Sequence, residues 1–256
     1  MFVLLLAAAT LRATDAFEVQ VGRLSGIALT RIAPDPLLPT IFEVDWSAQQ
    51  GLDDHNDLLK GHDPLSSCYW PASMPLARLL YRSSESLRRK SVVEIGCGTG
   101  LCSLTCASVG AKVLATDVDP LALELTAAAA SAQALNVDTV AFDATHAAEP
   151  LPCADVLLMS DLFVTEALAR AHASRVAEAL TSGAYQLIVV VDPARQTRAD
   201  FLEELSRQGI DGHHRGFQPL DESTVLNLEG SASGVSDGRK LVLLDTEVGA
   251  AVSYDI

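Results

Sequence analysis

The chain has 256 residues, 49% of them hydrophobic, which allows one α/β domain with an appendage and a sizeable core. Its 33 Asp and Glu against 18 Lys and Arg give a net charge of -15. That argues against nucleic acid or an anionic membrane as partner, since both need basic patches; it suits solubility or a basic partner such as a lysine-bearing segment. Five cysteines fit no secreted disulfide framework and point to a reducing compartment. Cys97, Cys102 and Cys106 lack the paired C-x-x-C spacing of a zinc site and read as small buried side chains.

Residues 1–10 are almost wholly apolar yet too short to cross a bilayer as a helix. With small residues at 13–16 and Phe17 after them, residues 1–16 read either as a signal or targeting segment or as a first buried strand. The Ala16-Phe17 junction resembles a bipartite plastid presequence, and Arg12, Arg23 and Arg31 suit a transit segment. Plastid, mitochondrion and cytoplasm all stay open. Residues 17–66 read as an N-terminal extension holding a hairpin of 17–21 and 27–32, followed by a proline-broken loop over 33–40. Asp53, Asp54, His55, Asp57, His62 and Asp63 read as a solvated loop rather than a metal site, since no helical His pair is present. Pro75 opens a helix shortly after Cys68, Tyr69 and Trp70.

The run Val92-Val93-Glu94-Ile95 reads as a buried strand, Gly96, Gly98 and Gly100 as a tight turn, and 101–109 as a helix stopped by Gly110. A second strand over 111–117 ends in Asp117, and Asp119-Pro120 starts an alanine-rich helix. Asp117 lies about twenty residues past the glycine turn, where nucleotide-binding folds place an acid on the ribose hydroxyls. A third strand over 139–143 ends in Asp143, and a fourth over 154–163 carries Ser160 and Asp161 at its end. A helix over 168–180 leads to a fifth strand over 186–192, then Asp192-Pro193-Ala194-Arg195 and a helix over 198–208. Residues 223–228 and 240–245 read as a closing antiparallel pair joined by 230–238.

In a parallel α/β sheet the glycine turn lies at the carboxyl end of its strand, where ligands bind. The dinucleotide fingerprint G-x-G-x-x-G fails here, because Leu101 stands where it wants glycine. A carboxylate at Glu94 suits a cationic ligand better than a pyrophosphate. The pattern E-x-G-x-G-x-G resembles the first motif of the seven-strand (class I) methyltransferases that use S-adenosyl-L-methionine. Trp70, Asp117, Asp119-Pro120, Asp161 and Asp192-Pro193-x-Arg195 are similar to the protein-lysine branch of that class, the branch that includes the flavoprotein-directed enzymes. The resemblance runs from about Cys68 to Arg195.

It implies a doubly wound, Rossmann-like seven-stranded sheet over 67–256 with a small N-terminal β appendage. It implies a cofactor site of Trp70, Glu94, Gly96, Cys97, Gly98, Gly100, Asp117, Asp143 and Ser160, with Glu94 facing the methionine part and Asp143 taking the adenine amine or else only turning the chain. Asp161 is implied as the catalytic group, positioning an acceptor amine. No metal enters. The implied partner is a protein bearing a target lysine, with no nucleic acid, no stable membrane association and a monomeric chain. Val164 stands where the lysine branch has tyrosine. A small-molecule N-methyltransferase and a cofactor-binding assembly protein without turnover therefore stay open. An NAD-dependent reductase is disfavoured by Leu101 and by the lack of a Tyr-x-x-x-Lys pair.

Overall fold

The computed structural model describes residues 16–18, 24, 27–46, 59, 61–210, 213–214, 216–228 and 241–246. All of residues 1–15, 53–57 and 230–238 lie outside these, and so do the targeting reading and most of the acid-histidine loop.

Seven strands form the main sheet: β4 (Ser91–Ile95), β5 (Lys112–Asp117), β6 (Val137–Ala141), β7 (Val156–Ser160), β8 (Leu187–Asp192), β9 (Phe217–Pro219) and β10 (Leu241–Asp245), in the order β6-β5-β4-β7-β8-β10-β9. The switch of direction between β4 and β7 puts the carboxyl ends of β4 and β7 side by side, the place where open α/β sheets bind ligands. β7 and β8 are apolar on both faces because helices cover both, and their residues from 156 to 159 and 187 to 191 are fully buried. α1 (Ser73–Arg82) and α3 (Leu101–Ser108) pack Leu76, Leu79, Leu80, Cys102 and Cys106 against one face. α5 (Glu166–Ser182) and α6 (Arg198–Arg207) cover the other with Ala173, Val176, Phe201 and Leu205. A one-turn α2 (Ser84–Leu87) joins α1 to β4. In α4 (Pro120–Ala132), Asp119 caps the first turn by accepting from the Leu121 amide at 2.9 Å, and Pro120 supplies a preset φ.

The N-terminal strands depart from the expected hairpin. β1 (Ala16–Glu18) and β2 (Ala28–Ile32) pair antiparallel as expected, but β3 (Ile41–Val44) adds a third strand. Ile41 and Phe42 bury their side chains in one cluster with Leu121, Leu125 and Ala128 of α4. The strand forms because its apolar side finds that helix, which the preceding prolines obscure in the sequence.

The closing strands are a correction. β10 runs parallel to β8, and β9 runs parallel to β10. Residues 223–228 are not a strand. They lie as irregular chain that drops Leu226 into the core beside α1, with the Leu226 amide donating to Ser83 Oγ at 2.8 Å. Arg82 holds the same segment through the carbonyls of Asp221 and Thr224. The parallel register sets Asp245 opposite Asp192. Arg198 lies between these two carboxylates, at 2.6 Å from Asp192 Oδ2 and 2.8 Å from Asp245 Oδ2. Without that guanidinium two acids would repel at one sheet edge.

Candidate active site

β4 ends in the glycine turn, and the backbone there requires glycine. Gly96 and Gly100 have φ of 64° and 80°. A Cβ on Gly96 would stand 2.4 Å from Leu162 Cδ2, and one on Gly100 2.4 Å from Thr126 Oγ1. Gly100 is also the residue from which α3 starts. The turn is then tied down by polar contacts. The Gly98 amide donates to Asp117 Oδ2 at 2.9 Å, and the Gly98 carbonyl accepts from Thr126 Oγ1 at 3.1 Å.

Glu94 is buried one residue before the end of β4. Its Oε2 accepts from the Ser103 amide at 2.9 Å and from Ser103 Oγ at 2.5 Å. It thus caps the first turn of α3, the role a carboxylate plays at a helix start. Burial pushes its carboxyl up to about 7, against the pull of the Ser103 hydrogen bonds. Asp117 ends β5, with Oδ1 accepting from the Asp119 amide at 3.0 Å; burial raises its carboxyl as well.

Asp119 also anchors the chain ahead of α1. Its carboxylate meets His62 Nδ1 at 2.5 Å, the Asp63 amide at 3.1 Å and Ser66 Oγ at 2.5 Å. The His62 side chain is therefore docked at the start of α4 rather than solvated, whereas Asp63 is held there by its backbone amide and keeps its side chain exposed. The docked segment brings the Ser66 carbonyl to 3.5 Å from where a Gly98 Cβ would be, so it lies over the glycine turn. Among the described residues no group of His, Cys, Asp and Glu is arranged to hold a metal ion, and no helix is long and apolar enough to cross a membrane.

A cavity of about 360 Å³, its open mouth included, joins the turn to the end of β7. Of the candidate residues, Trp70, Glu94, Gly96, Cys97, Gly98, Ser160 and Asp161 line it. Gly100 stands behind the wall, between the lining residues Thr99 and Leu101. Asp117 touches the site through Gly98. Asp143 stands outside the cavity, at the end of β6, with Oδ1 accepting from the Thr145 amide and hydroxyl at 2.8 and 2.7 Å. Those bonds hold its carboxyl below the usual range. Cys97 is buried with its thiol pushed far up by desolvation, so it is an inert wall.

Asp161 leaves β7 with a φ of 59°, a left-handed turn that aims its carboxylate along the sheet edge. Oδ1 accepts from Arg195 Nε at 2.5 Å. Arg195 also lies over the Trp70 ring, 5.6 Å from the centroid. From the sequence alone Arg195 either pairs with Asp192 or has a plain surface role. The Arg195 backbone amide donates to Asp192, at 3.0 Å, while Nε of the side chain donates to Asp161. Burial pushes the Asp161 carboxyl up to about 6, with Arg195 pulling it down. Ser160 Oγ and Asp161 Oδ2 are buried without a hydrogen-bond partner. Ser73 and Cys102, which also line the cavity, carried no sequence signal; only the packing of α1 on α3 brings them there.

Ala194 has a φ of 61°. Glycine tolerates that conformation and alanine does not, so Ala194→Gly is expected to stabilise the protein by about 1 kcal/mol. Urea unfolding measures it; an unchanged midpoint would mean the turn relaxes around the methyl.

Residues 92–183 match a family model described as "Methyltransferase domain". The chain is 32% identical over 120 residues to the electron transfer flavoprotein beta subunit lysine methyltransferase of Danio rerio, covering 42% of each chain. It is 30% identical over 87 residues to the protein-lysine methyltransferase METTL21E of Mus musculus, covering 33% of this chain and 36% of the other. The chain thus spans less than half the length of these relatives. A superposition on the 16S rRNA N2 G1207 methyltransferase of T. thermophilus, solved with AdoMet and guanosine, covers 65% of this chain and 42% of that one, at 17% identity and a TM-score of 0.45. The glycine turn, closed to a Cβ at Gly96 and Gly100, the buried acid before it and the unpartnered oxygens of the lining residues Ser160 and Asp161 fit a cationic ligand with donor groups. The match over residues 92–183 and the seven-stranded sheet support a methyltransferase domain of the class I kind, with S-adenosyl-L-methionine as the cofactor that such a domain implies.

Proposed function

We propose that the chain methylates an acceptor amine, and that the amine is a lysine side chain of a protein. One observation carries this reading. Ser160 and Asp161, each with a buried side-chain oxygen that has no hydrogen-bond partner, line the same cavity as the glycine turn and Glu94. That pair is a seat for a group with several N–H donors. The similarity to two protein-lysine methyltransferases supports the choice of lysine.

In this reading Glu94, Gly96, Cys97, Gly98 and Gly100 hold the methionine part of the cofactor, Asp117 the ribose and Asp143 the adenine, with Trp70 and Ser160 closing the site. When bound, S-adenosyl-L-methionine supplies an electrophilic methyl on a sulfonium. The protein's residues must then present a neutral amine. A free lysine titrates near ~10.4 and must shed its proton first. Desolvation beside Trp70 favours that loss, the Asp161 carboxylate opposes it, and the Arg195 guanidinium offsets the carboxylate. Asp161 therefore positions the amine rather than taking its proton. Holding the nucleophile at near-attack distance is worth roughly 7–11 kcal/mol.

Asp117→Ala is expected to weaken cofactor binding about 100-fold or more, since it removes the ribose acceptor and frees the Gly98 amide. Titration calorimetry checks this, and unchanged affinity would sink the assignment. The acceptor is tested by incubating a whole proteome and a small-molecule extract with methyl-labelled cofactor. Label on lysines of proteins is expected. Label in the extract alone would favour a small-molecule N-methyltransferase, the reading that the half-buried Val164 supports. Binding without product in either pool would favour an assembly protein.

A further inference from the structure

Arg175, on α5, is 3% exposed and far from the glycine turn in sequence. Its guanidinium does not serve an internal ion pair alone. Nε donates to the Ala144 carbonyl at 2.8 Å, Nη2 to the His146 carbonyl at 2.7 Å, and Nη1 to the Glu149 carbonyl at 2.8 Å. Nη1 also meets Glu178 Oε2 at 2.7 Å. The guanidinium carbon lies 5.2 Å from the centre of the Phe142 ring. Glu178, one turn along the helix, accepts from the Leu151 amide at 2.9 Å. Arg175 and Glu178 thus grip the segment from Phe142 to Leu151 at five points, and that segment is otherwise irregular chain leaving β6. Four of the five guanidinium N–H groups are used, three of them on one loop. A buried arginine is costly unless such partners repay its desolvation, so its presence here needs a purpose beyond filling space.

We propose that Arg175 is a positioning residue for the adenine end of the cofactor site: by fixing the 144–149 loop through three carbonyls, it sets where the Asp143 carboxylate stands. This rests on the cofactor reading above and adds to it. Asp143 sits between two fixed points. Behind it, the Phe142 amide donates to the Asp117 carbonyl at 3.0 Å; ahead of it, Arg175 holds Ala144. The Asp143 side chain contacts only its own turn, through Thr145. The β5–β6 pairing and the Phe142 amide fix the chain before Asp143 against Asp117; Arg175 fixes the chain after it, and so the direction in which the turn carries the carboxylate.

The test uses two probes on the full chain, S-adenosylhomocysteine and S-inosylhomocysteine. They differ where the adenine amine is replaced by a carbonyl. A carboxylate placed to accept from that amine meets an acceptor in the inosyl compound, so the wild type is expected to prefer the adenosyl probe by roughly 10–100-fold, the range for one hydrogen bond to a charged group. Arg175→Met is expected to bring that ratio close to one, chiefly by loss of adenosyl affinity. Arg175→Lys, which keeps the charge and one or two donors, should recover part of it. Asp143→Ala should collapse the ratio by itself, and the double variant should lose nothing more. A merely structural role for Arg175 would lower the melting temperature and leave the ratio alone. If Arg175→Met does not fold, Arg175→Lys and Glu178→Gln carry the same reading, each with a reduced ratio. A folded Arg175 variant with the wild-type ratio would overturn the inference, as would a wild type that binds both probes equally. A wild type that binds neither would overturn the cofactor reading itself.

Discussion

Glu94→Gln is expected to weaken S-adenosyl-L-methionine binding by roughly 10–100-fold while making the ligand-free protein harder to unfold at pH 8. The two effects have one cause. The Glu94 carboxyl has an ordinary value of 4.5 and stands at about 7 in the fold, because burial strips its water. Below pH 4.5 both folded and unfolded chains carry the proton, and the group costs nothing. As pH rises from 4.5 to 7 the unfolded chain ionises first, so stability falls. Above 7 the full cost of the buried charge stands, about 3 kcal/mol. Glutamine removes that cost. It keeps an oxygen for the Ser103 amide and hydroxyl, though a weaker acceptor than a carboxylate, so a net gain of about 1–2 kcal/mol at pH 8 is expected, fading toward pH 4.5. For a domain of this size that is a rise of roughly 2–4 °C in melting temperature per kcal/mol. In the proposed site the wild-type carboxylate meets the cationic methionine part of the cofactor, and a cation beside it lowers its pKa on binding. Cofactor affinity should therefore drop as pH falls through 7 in the wild type and stay level in Glu94→Gln. Calorimetry from pH 6 to 8.5, with melting curves alongside, reads both. Equal affinity of the two proteins would leave Glu94 only its cap on α3.

What the sequence made legible is local. Strands β4, β5, β7 and β8 are largely apolar, each ending near an acid or glycine, and the order of strand, turn and helix repeats. Glu94, Asp117 and Asp161 could be placed because a strand's last residues face the sheet's carboxyl edge whatever lies around them. What stayed hidden depends on partners remote in sequence. Ile41–Val44 reads as loop until α4 is laid beneath it. His62 reads as solvated because its partner Asp119 is more than fifty residues away. The direction of β10 stays hidden because nothing in its four apolar residues and closing Asp245 records which way the chain runs beside β8; the segment ahead of it is tied to α1 through Leu226 and Arg82. For Arg195 the sequence offers the nearer acid, Asp192, or a plain surface role. The left-handed φ of Asp161 swings its carboxylate within reach instead, and no residue type announces that. Arg175 is the extreme case, since its partners are carbonyls and any sequence has those.

The Asp161–Arg195 pair should separate binding from turnover. Asp161→Asn is expected to leave cofactor affinity within about threefold and to cut turnover on the acceptor by ~10²-fold, the scale of a misplaced reacting group. It should also cost stability, because it leaves the guanidinium of Arg195, only 11% exposed, without its carboxylate; a broken buried pair is worth about 3 kcal/mol. Turnover in the wild type should fall below about pH 6, where burial has pushed the Asp161 carboxyl and where its protonation removes the acceptor for the amine. Arg195→Met provides the sign. The guanidinium pulls that carboxyl down, so its removal raises the carboxyl further, and the acid limb of the rate profile must move to higher pH. The same substitution removes the cation that offsets Asp161 next to the amine, so the amine holds its proton more tightly and the alkaline rise must move up too. Both limbs shifting in one direction is a signature that a fold defect does not produce, since a fold defect lowers the plateau without moving the limbs. A profile fixed in pH would remove Asp161 from the reaction and leave the pair as a brace between β7 and the turn after β8.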